Sequence, residues 1–238
     1  MARREQGHPS DAIPRARRRL RSPERQREIV LAVVDLAREA GPEGITTQAI
    51  AERVGVTHGA LFRHFPDKNA IWAAVFDWVR EALGDAVGAA FAAGGTPLQT
   101  LERVFLAHVA FVARHPGVAR ILYHELQRPV GSPAQARVRT MVGGYRKRLG
   151  ALMADAKAAG QFPVQLDEEI AAALVVGTVQ GLLMQATLSG GERGMASAAR
   201  KTWPLLIDGM RGAPATSASR ARRRARPSAR EARSSSLR

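Results

Sequence analysis

Hydrogen-bonding side chains cluster between residues 46 and 68, at positions where two short helices would begin. Gln48 carries an amide that can bond adenine at two points, and His58 can donate to an acceptor on guanine. Lys68 offers a positive charge to a phosphate. Whether these groups meet a nucleic acid depends on how the two helices are joined.

Apolar residues around these side chains predict two short helices joined by a tight turn. Gly55 would end the first helix, because a residue without a Cβ enters positive φ at little cost. Thr46 or Thr47 can cap the first helix, Thr57 the second, and Asp67 the helix that follows. The spacing alone is compatible with a helix-turn-helix and equally with an ordinary helical hairpin. The buried positions are predicted to be Ile50, Ala51, Val54, Leu61 and Phe65.

The stretch from 46 to 68 reads TTQAIAERVGVTHGALFRHFPDK. It resembles the DNA-binding segment of the TetR family of bacterial transcriptional regulators, whose pattern is T-T-x-x-I-A-x-x-x-G-V-x-x-x-x-L-Y-x-H-F-x-x-K. This resemblance favours the helix-turn-helix over the hairpin. Phe62 departs from the pattern, since it stands where the family usually has a tyrosine that bonds a phosphate. The matching residues are Thr46, Thr47, Ile50, Ala51, Gly55, Val56, Leu61, His64, Phe65 and Lys68.

The resemblance implies which residues contact DNA. The start of the first helix would contact phosphate and sometimes a base, and the start of the second would meet base edges in the major groove. Gly59 and Ala60 permit close approach, and Ala60 could touch a thymine methyl. His64 and Lys68 match positions that contact the backbone, although His64 is also compatible with a packed helix position. The predicted set within the motif is Thr46, Thr47, Gln48, Thr57, His58, Gly59, Ala60, Phe62, His64 and Lys68.

The net charge of +15 is concentrated at the two ends of the chain. Residues 1–22 sum to +5 and residues 212–238 to +7, whereas residues 23–70 hold six basic and seven acidic side chains. We expect 1–21 and 212–238 to be disordered, because they are rich in arginine and poor in apolar residues. Arg17, Arg18 and Arg19 would follow the phosphates or enter the minor groove. Solvated tails are the alternative for both segments.

The rest of the chain predicts an all-α fold of about nine helices, with a DNA-binding domain at 22–68 and a regulatory and dimerisation domain at 69–211. The segment 170–188 is apolar on nearly every side, which indicates burial on two sides and not a membrane span. The family pairs its subunits through the last two helices, here about 167–188 and 196–210. Pro204 predicts a kink or a late start in the last helix.

A pocket for an apolar small-molecule effector is expected in the regulatory domain, where aromatic and polar side chains share helical faces. The same residues are compatible with a plain helical core. The candidate lining is Phe105, His108, Phe111, Tyr123, Met141, Tyr145, Gln180 and Met184.

The sequence argues against an enzyme. It has no cysteine, which excludes thiol nucleophiles, disulfides and cysteine-built metal sites. His124 and Glu125 begin an H-E-x-x-H pattern, but Arg128 occupies the second histidine position. We expect no catalytic residue, no cofactor and no metal. The N-terminal residues lack the apolar run of a secretory signal, so a cytoplasmic location is predicted.

Together with the resemblance, these features predict a ligand-responsive transcriptional regulator that binds a pseudo-palindromic operator in double-stranded DNA as a homodimer. Repression, and not activation, is what the family more often does. The two recognition helices of the regulator would lie about 34–36 Å apart. A small apolar effector would release it by favouring a different separation. The alternative is a nucleoid-associated or architectural protein that binds DNA through its basic tails.

Overall fold

Nine α-helices and one short 3-10 helix form the described part of the chain, residues 22–128, 131–189 and 191–212 of a computed structural model. The segment 1–21, with Arg17, Arg18 and Arg19, and the segment 213–238 lie outside the described residues. The helices are α1 Ser22–Ala40, α2 Thr47–Val54, α3 His58–Phe62, α4 Lys68–Ala92, α5 Pro97–Arg114, α6 Pro116–Gln127, α7 Pro133–Ala158, α8 Glu168–Leu188 and α9 Met195–Arg211.

Helix α1 packs on α4 and on α2, and α2 packs on α3, through the apolar residues that the sequence spacing predicts. Ile50, Leu61 and Phe65 are all buried, and Ile29 and Val33 of α1 close the same core. Burial of each such side chain contributes about 1.5–3 kcal/mol, which is more than the short helices could supply by themselves.

Helices α5, α7, α8 and α9 form the second half of the fold, joined to the first by the long helix α4. Thr96 starts α5 with a reciprocal capping box to Gln99. Inside this half, Phe105 stacks on Trp203 with ring centroids 5.3 Å apart. At the α6–α7 connection, the buried Glu125 accepts hydrogen bonds from Ser132 and from Arg128. The all-α architecture predicted from the sequence is therefore confirmed.

Helix α9 is continuous from Met195 to Arg211 although Pro204 lies inside it, so the late start considered from the sequence does not occur. Proline removes only one hydrogen bond, the one to the carbonyl of Arg200. Arg200 is exposed, and water can satisfy that carbonyl.

Helix α8 is long and apolar enough to cross a membrane, with a mean hydropathy of 1.6 over its most apolar window, of which 33% is buried. In this fold α8 packs against α5, α7 and α9 on one side. Its opposite side exposes Ile170, Leu174, Met184 and Leu188. Within a single chain, one side of α8 is therefore buried as predicted, and the opposite side remains exposed.

Candidate nucleic-acid interface

The turn between α2 and α3 is built by local hydrogen bonds. The hydroxyl of Thr46 accepts from the backbone of Ala49 at 3.0 Å, and that of Thr57 accepts from Ala60 at 3.1 Å. Gly55 has φ 69° and ψ 45°, the left-handed conformation that glycine adopts without strain. These contacts confirm the predicted helix ends and present the first turn of α3 at the surface.

His58, the first residue of α3, is held in place by two neighbours. Its Nε2 lies 2.9 Å from the hydroxyl of Thr47, and its ring meets Phe62 edge-on with centroids 4.8 Å apart. When the hydroxyl donates to Nε2, the proton of the neutral ring lies on Nδ1, which can then donate to a base acceptor. Phe62, 38% exposed, thus supports the histidine ring at the position where the family has tyrosine.

The amide of Gln48, which is predicted to contact adenine, is engaged by a neighbour on the same helix. Its Nε2 donates to Glu52 at 2.7 Å along the same helix, and both side chains are exposed. Bidentate contact with adenine would require Gln48 to leave this carboxylate. The role of Gln48 in base contact therefore stays a prediction.

Lys68 and His64 occupy the edge of the motif. Lys68 donates to the carbonyl of Ile45 at 2.6 Å, which fixes the ammonium at the surface while two of its protons remain for a phosphate. His64 is half-buried, with Nδ1 3.5 Å from the Ser22 hydroxyl, and its carbonyl accepts from Gln26 at 3.1 Å. His64 therefore connects the end of α3 to α1. This agrees with a packed position for His64, and it is also compatible with contact to the DNA backbone.

Gly59 and Arg63 complete the surface of α3. A Cβ built on Gly59 would meet nothing within 4 Å in the described part of the chain, so packing does not require a glycine there. Arg63 is exposed at the end of α3 and has no hydrogen-bonding or ionic partner among the described residues. Arg63 is not among the residues predicted from the sequence, although its position in the recognition helix is a signal that could have found it.

The electrostatics of this face are modest. Arg53 makes a bidentate contact with Glu39 at 2.5 and 3.3 Å. The hydrogen bond from Arg53 lowers the pKa of Glu39, so the pair stays ionised and its charges cancel. Lys68 and Arg63 are thus the cations of the motif that remain for phosphate contact.

A cavity of about 130 Å³ lies in the second half of the fold, between α4, α5, α6, α7 and α8. Six predicted pocket residues line it: His108, Phe111, Tyr123, Met141, Tyr145 and Gln180. Phe105 is not among its lining residues, because its ring is stacked on Trp203. Met184 does not line it either, because this residue is 56% exposed on the opposite side of α8.

One polar pair stands out in this cavity. The Tyr145 hydroxyl lies 3.2 Å from Nδ1 of His108, and the rings meet edge-on at 5.1 Å. Burial lowers the pKa of His108 to about 4 and raises the pKa of Tyr145, so both are neutral at pH 7. In the described residues, no group of three or more histidines and carboxylates could hold a metal ion.

Comparison with known proteins agrees with this architecture. Residues 29–75 match the family model described as "Bacterial regulatory proteins, tetR family", and residues 94–184 match "Tetracyclin repressor-like, C-terminal domain". The chain is 27% identical over 162 residues to the nucleoid occlusion factor SlmA of Aliivibrio fischeri (strain MJ11), which covers 68% of this chain and 83% of the relative.

Two solved structures share the fold. The fatty acid degradation regulator FadR from Bacillus halodurans has a TM-score of 0.69 at 19% identity, covering 79% of this chain and 97% of its own. FadR from Bacillus subtilis in complex with stearoyl-CoA has a TM-score of 0.64 at 19% identity, covering 77% of this chain and 98% of its own. With two matching family models and a helix-turn-helix built as the motif predicts, this chain belongs to the TetR family: it is a DNA-binding transcriptional regulator and not an enzyme.

Proposed function

We propose that this regulator is a dimeric repressor that binds a pseudo-palindromic operator and is released by a small apolar effector. The observation that carries the proposal is the position of α6. This helix lies between the apolar cavity and α1, on which α2 is packed, and α2 in turn packs on α3.

One face of α6 is in contact with α1 and the loop that follows it. Gly117 approaches Val34 so closely that an added Cβ would lie 2.0 Å from the Val34 carbonyl oxygen. Arg120 donates to the carbonyl of Arg38 at 3.0 Å, at the end of α1. With His124, whose Nδ1 lies 3.3 Å from a carboxylate oxygen of Glu43 in the loop after α1, these contacts recur every three to four residues, so they lie on a single helical face.

The opposite face of α6 lines the cavity with Val118, Ala119, Leu122, Tyr123 and Leu126. An effector that fills or enlarges the cavity would press on this face and displace α6 against α1. Because packed helices move as units, the displacement would change the separation of the two recognition helices in a dimer. The effector needs only to bind the displaced state more tightly than the DNA-bound state.

A dimer would be formed by the open side of α8. Its exposed residues follow a regular four-three spacing, which is the pattern of a helix seam that meets another helix. Gly177 and Gly181 lie at its centre, and a Cβ on either would meet nothing within 4 Å in the described residues, so two backbones could approach closely there. The seam consists of Ile170, Leu174, Gly177, Gly181, Met184 and Leu188.

The test is selection of bound sequences from random double-stranded DNA with the purified full chain. We expect an inverted repeat whose half-sites are about one helical turn, or a multiple of it, apart. Recovery of a single unrepeated half-site, or of no enriched motif, would contradict the proposal. Competition with shuffled DNA at the same salt concentration separates sequence preference from backbone affinity.

A second function is supported by the relatives named nucleoid occlusion factor SlmA, since the match spans 83% of that protein's length. In that case the chain would bind many dispersed chromosomal sites and would not act at a few promoters. Mapping of bound sites across the genome distinguishes the two functions. A small set of promoter sites favours the repressor, and numerous sites outside promoters favour a nucleoid-associated role.

A further inference from the structure

We propose that the cavity selects an uncharged, ring-sized lipophile carrying one hydrogen-bond acceptor, which the His108–Tyr145 pair binds by donating its spare proton. This inference rests on the proposed function, because it assigns the ligand class of the same effector cavity. The size and the charge of the lining support it, as does the one proton that the His108–Tyr145 pair leaves unused. Tyr123 and Gln180, the other polar side chains of the lining, lie at exposed positions.

The size of the cavity limits what it holds without rearrangement. Its volume is about 130 Å³. An engineered apolar cavity of about 150 Å³ binds benzene, so a cavity of this size holds about one six-membered ring. Tyr123 and Leu126, 39% and 45% exposed, lie where the cavity meets the surface, so a substituent on the ring could extend outward between them.

The charge of the lining excludes ions. None of its residues is Lys, Arg, Asp or Glu, and the lowered pKa of the half-buried His108 keeps that ring neutral at pH 7. The cation that acts on Tyr145 is Arg148, which lies over the ring of Phe91 at 4.5 Å and is not part of the lining. An anionic or cationic ligand would lose its hydration without gaining a counter-charge.

The polar pair supplies one donor whichever tautomer is present. His108 and Tyr145 together carry two donor protons, one on the imidazole and one on the hydroxyl. Their 3.2 Å contact uses one of these protons. If the hydroxyl donates to Nδ1, the spare proton is on Nε2; if Nδ1 donates, the spare proton is on the hydroxyl. A ligand oxygen such as a ketone or ester carbonyl satisfies it in both cases.

The test is a ligand-observed NMR titration of the full chain at pH 7.5, without DNA, using four probes of similar size. Acetophenone has the ring and the acceptor, ethylbenzene has the ring alone, benzoate is an anion, and benzylammonium is a cation. We expect acetophenone to bind about fivefold tighter than ethylbenzene, as one net hydrogen bond would give. Both ions should bind at least about tenfold more weakly than acetophenone.

Variants then locate the donor. Either His108→Leu or Tyr145→Phe leaves one donor proton in place, so each should retain part of the preference for acetophenone. The double variant should bind acetophenone and ethylbenzene equally, and its continued binding of ethylbenzene would show that the cavity is intact. Gln185→Leu, at an exposed position of α8 outside the lining, is the control and should keep the preference.

Three results would overturn the inference: an ion that binds as tightly as acetophenone, a preference that survives in the double variant, or no binding of any probe at millimolar concentration. If the double variant does not fold, the ranking of the four probes on the unmodified chain decides. Failure of the operator selection contradicts the proposed function separately, because the NMR titration contains no DNA.

Discussion

At the scale of single residues, the surface proposed to face DNA contains a position whose identity the fold does not explain. Gly59 lies in the first turn of α3 with open space around it, and its φ is not positive. A glycine in a helix costs about 0.5–1 kcal/mol relative to alanine. Close approach of the α3 backbone to DNA would account for a residue that the free protein does not require.

We therefore expect Gly59→Ala to change stability and affinity in opposite directions. The variant should be more stable by about 0.5–1 kcal/mol in urea unfolding, because alanine favours the helix and restricts the unfolded chain. Its operator affinity should fall by about tenfold or more, since the added methyl group would meet a base edge or sugar. An unchanged operator affinity would remove the close-approach role of Gly59. Gly84→Ala, also in open helical space, should raise stability without altering DNA binding.

The half-buried imidazole of His108 predicts how stability depends on pH. The pKa of His108 is lowered to about 4 in the fold, so between pH 6.5 and pH 4 the unfolded chain binds a proton that the native chain does not. Stability should therefore fall as the pH decreases through this window, by about 3 kcal/mol at its lower end. The measurement is urea unfolding of the natural chain and of His108→Gln at several pH values.

The difference in unfolding free energy between the natural chain and His108→Gln isolates the contribution of His108, because the other groups, including His115 and the carboxylates, titrate in both proteins. Glu39 and Glu168, whose pKa values are lowered by hydrogen bonds from Arg53 and Lys157, also lose stabilising charge in acid. Parallel pH profiles for the two proteins would show that the imidazole is not buried as described.

At the scale of elements, local signals were predictable from the sequence and contacts between helices were not. Thr46, Gly55, Thr57 and Asp67 end or begin helices as expected, because capping depends on a residue and its next three neighbours. The face that α6 turns toward α1 depends on how α4, α5 and α6 pack together. For that reason the close contact of Gly117 with Val34 had no sequence signal.

The same limit explains the pocket residues. His108 and Tyr145 are 37 positions apart, and only packing brings them within hydrogen-bond distance. Phe105 and His108 follow one another on α5 at helical spacing, so apolar periodicity alone could not decide which of them lines the cavity. Trp203, nearly a hundred residues later, decides this by stacking on Phe105.

The contact between α6 and α1 gives a prediction for Gly117→Ala. The added Cβ would lie 2.0 Å from the Val34 carbonyl oxygen and 3.0 Å from the Arg38 nitrogen, so one of the two helices must move. We expect a loss of stability of about 1–3 kcal/mol. We expect α1 to be the helix that moves, in the same sense as by a filled cavity, so that operator affinity also falls without effector, by about tenfold. An operator Kd equal to that of the natural chain would contradict the coupling.

The seam on α8 gives a second prediction at this scale. Gly177→Arg would place a charge where two backbones are proposed to meet, whereas Gln185→Arg changes an exposed position of the same helix outside the seam. We expect the first variant to be a folded monomer in analytical ultracentrifugation and the second to remain a dimer. Operator affinity of the monomer should fall by about a hundredfold or more, because its two half-sites are no longer bound together. A dimer in both variants would exclude this seam.

At the scale of the whole molecule, the positive charge lies away from the helix-turn-helix. Residues 23–70 sum to −1, and the bidentate contact with Glu39 occupies Arg53 within that unit. The chain as a whole carries +15. Specificity and affinity are therefore expected to come from different parts of the protein. The surface of α3 would distinguish sequences, and the arginine-rich ends would attract the phosphates.

Deletion of residues 1–21 tests this separation, because it removes a net charge of +5. We expect the slope of log Kd against log salt to decrease by about 0.9 for each phosphate that is no longer neutralised, while the ratio of operator to random-DNA affinity is kept. Deletion of residues 213–238, which removes +7, is the matched control for charge alone. An equal decrease in the salt slope for both deletions would indicate a general charge effect. Loss of sequence preference after deletion of residues 1–21 would show that α3 is not sufficient for specificity.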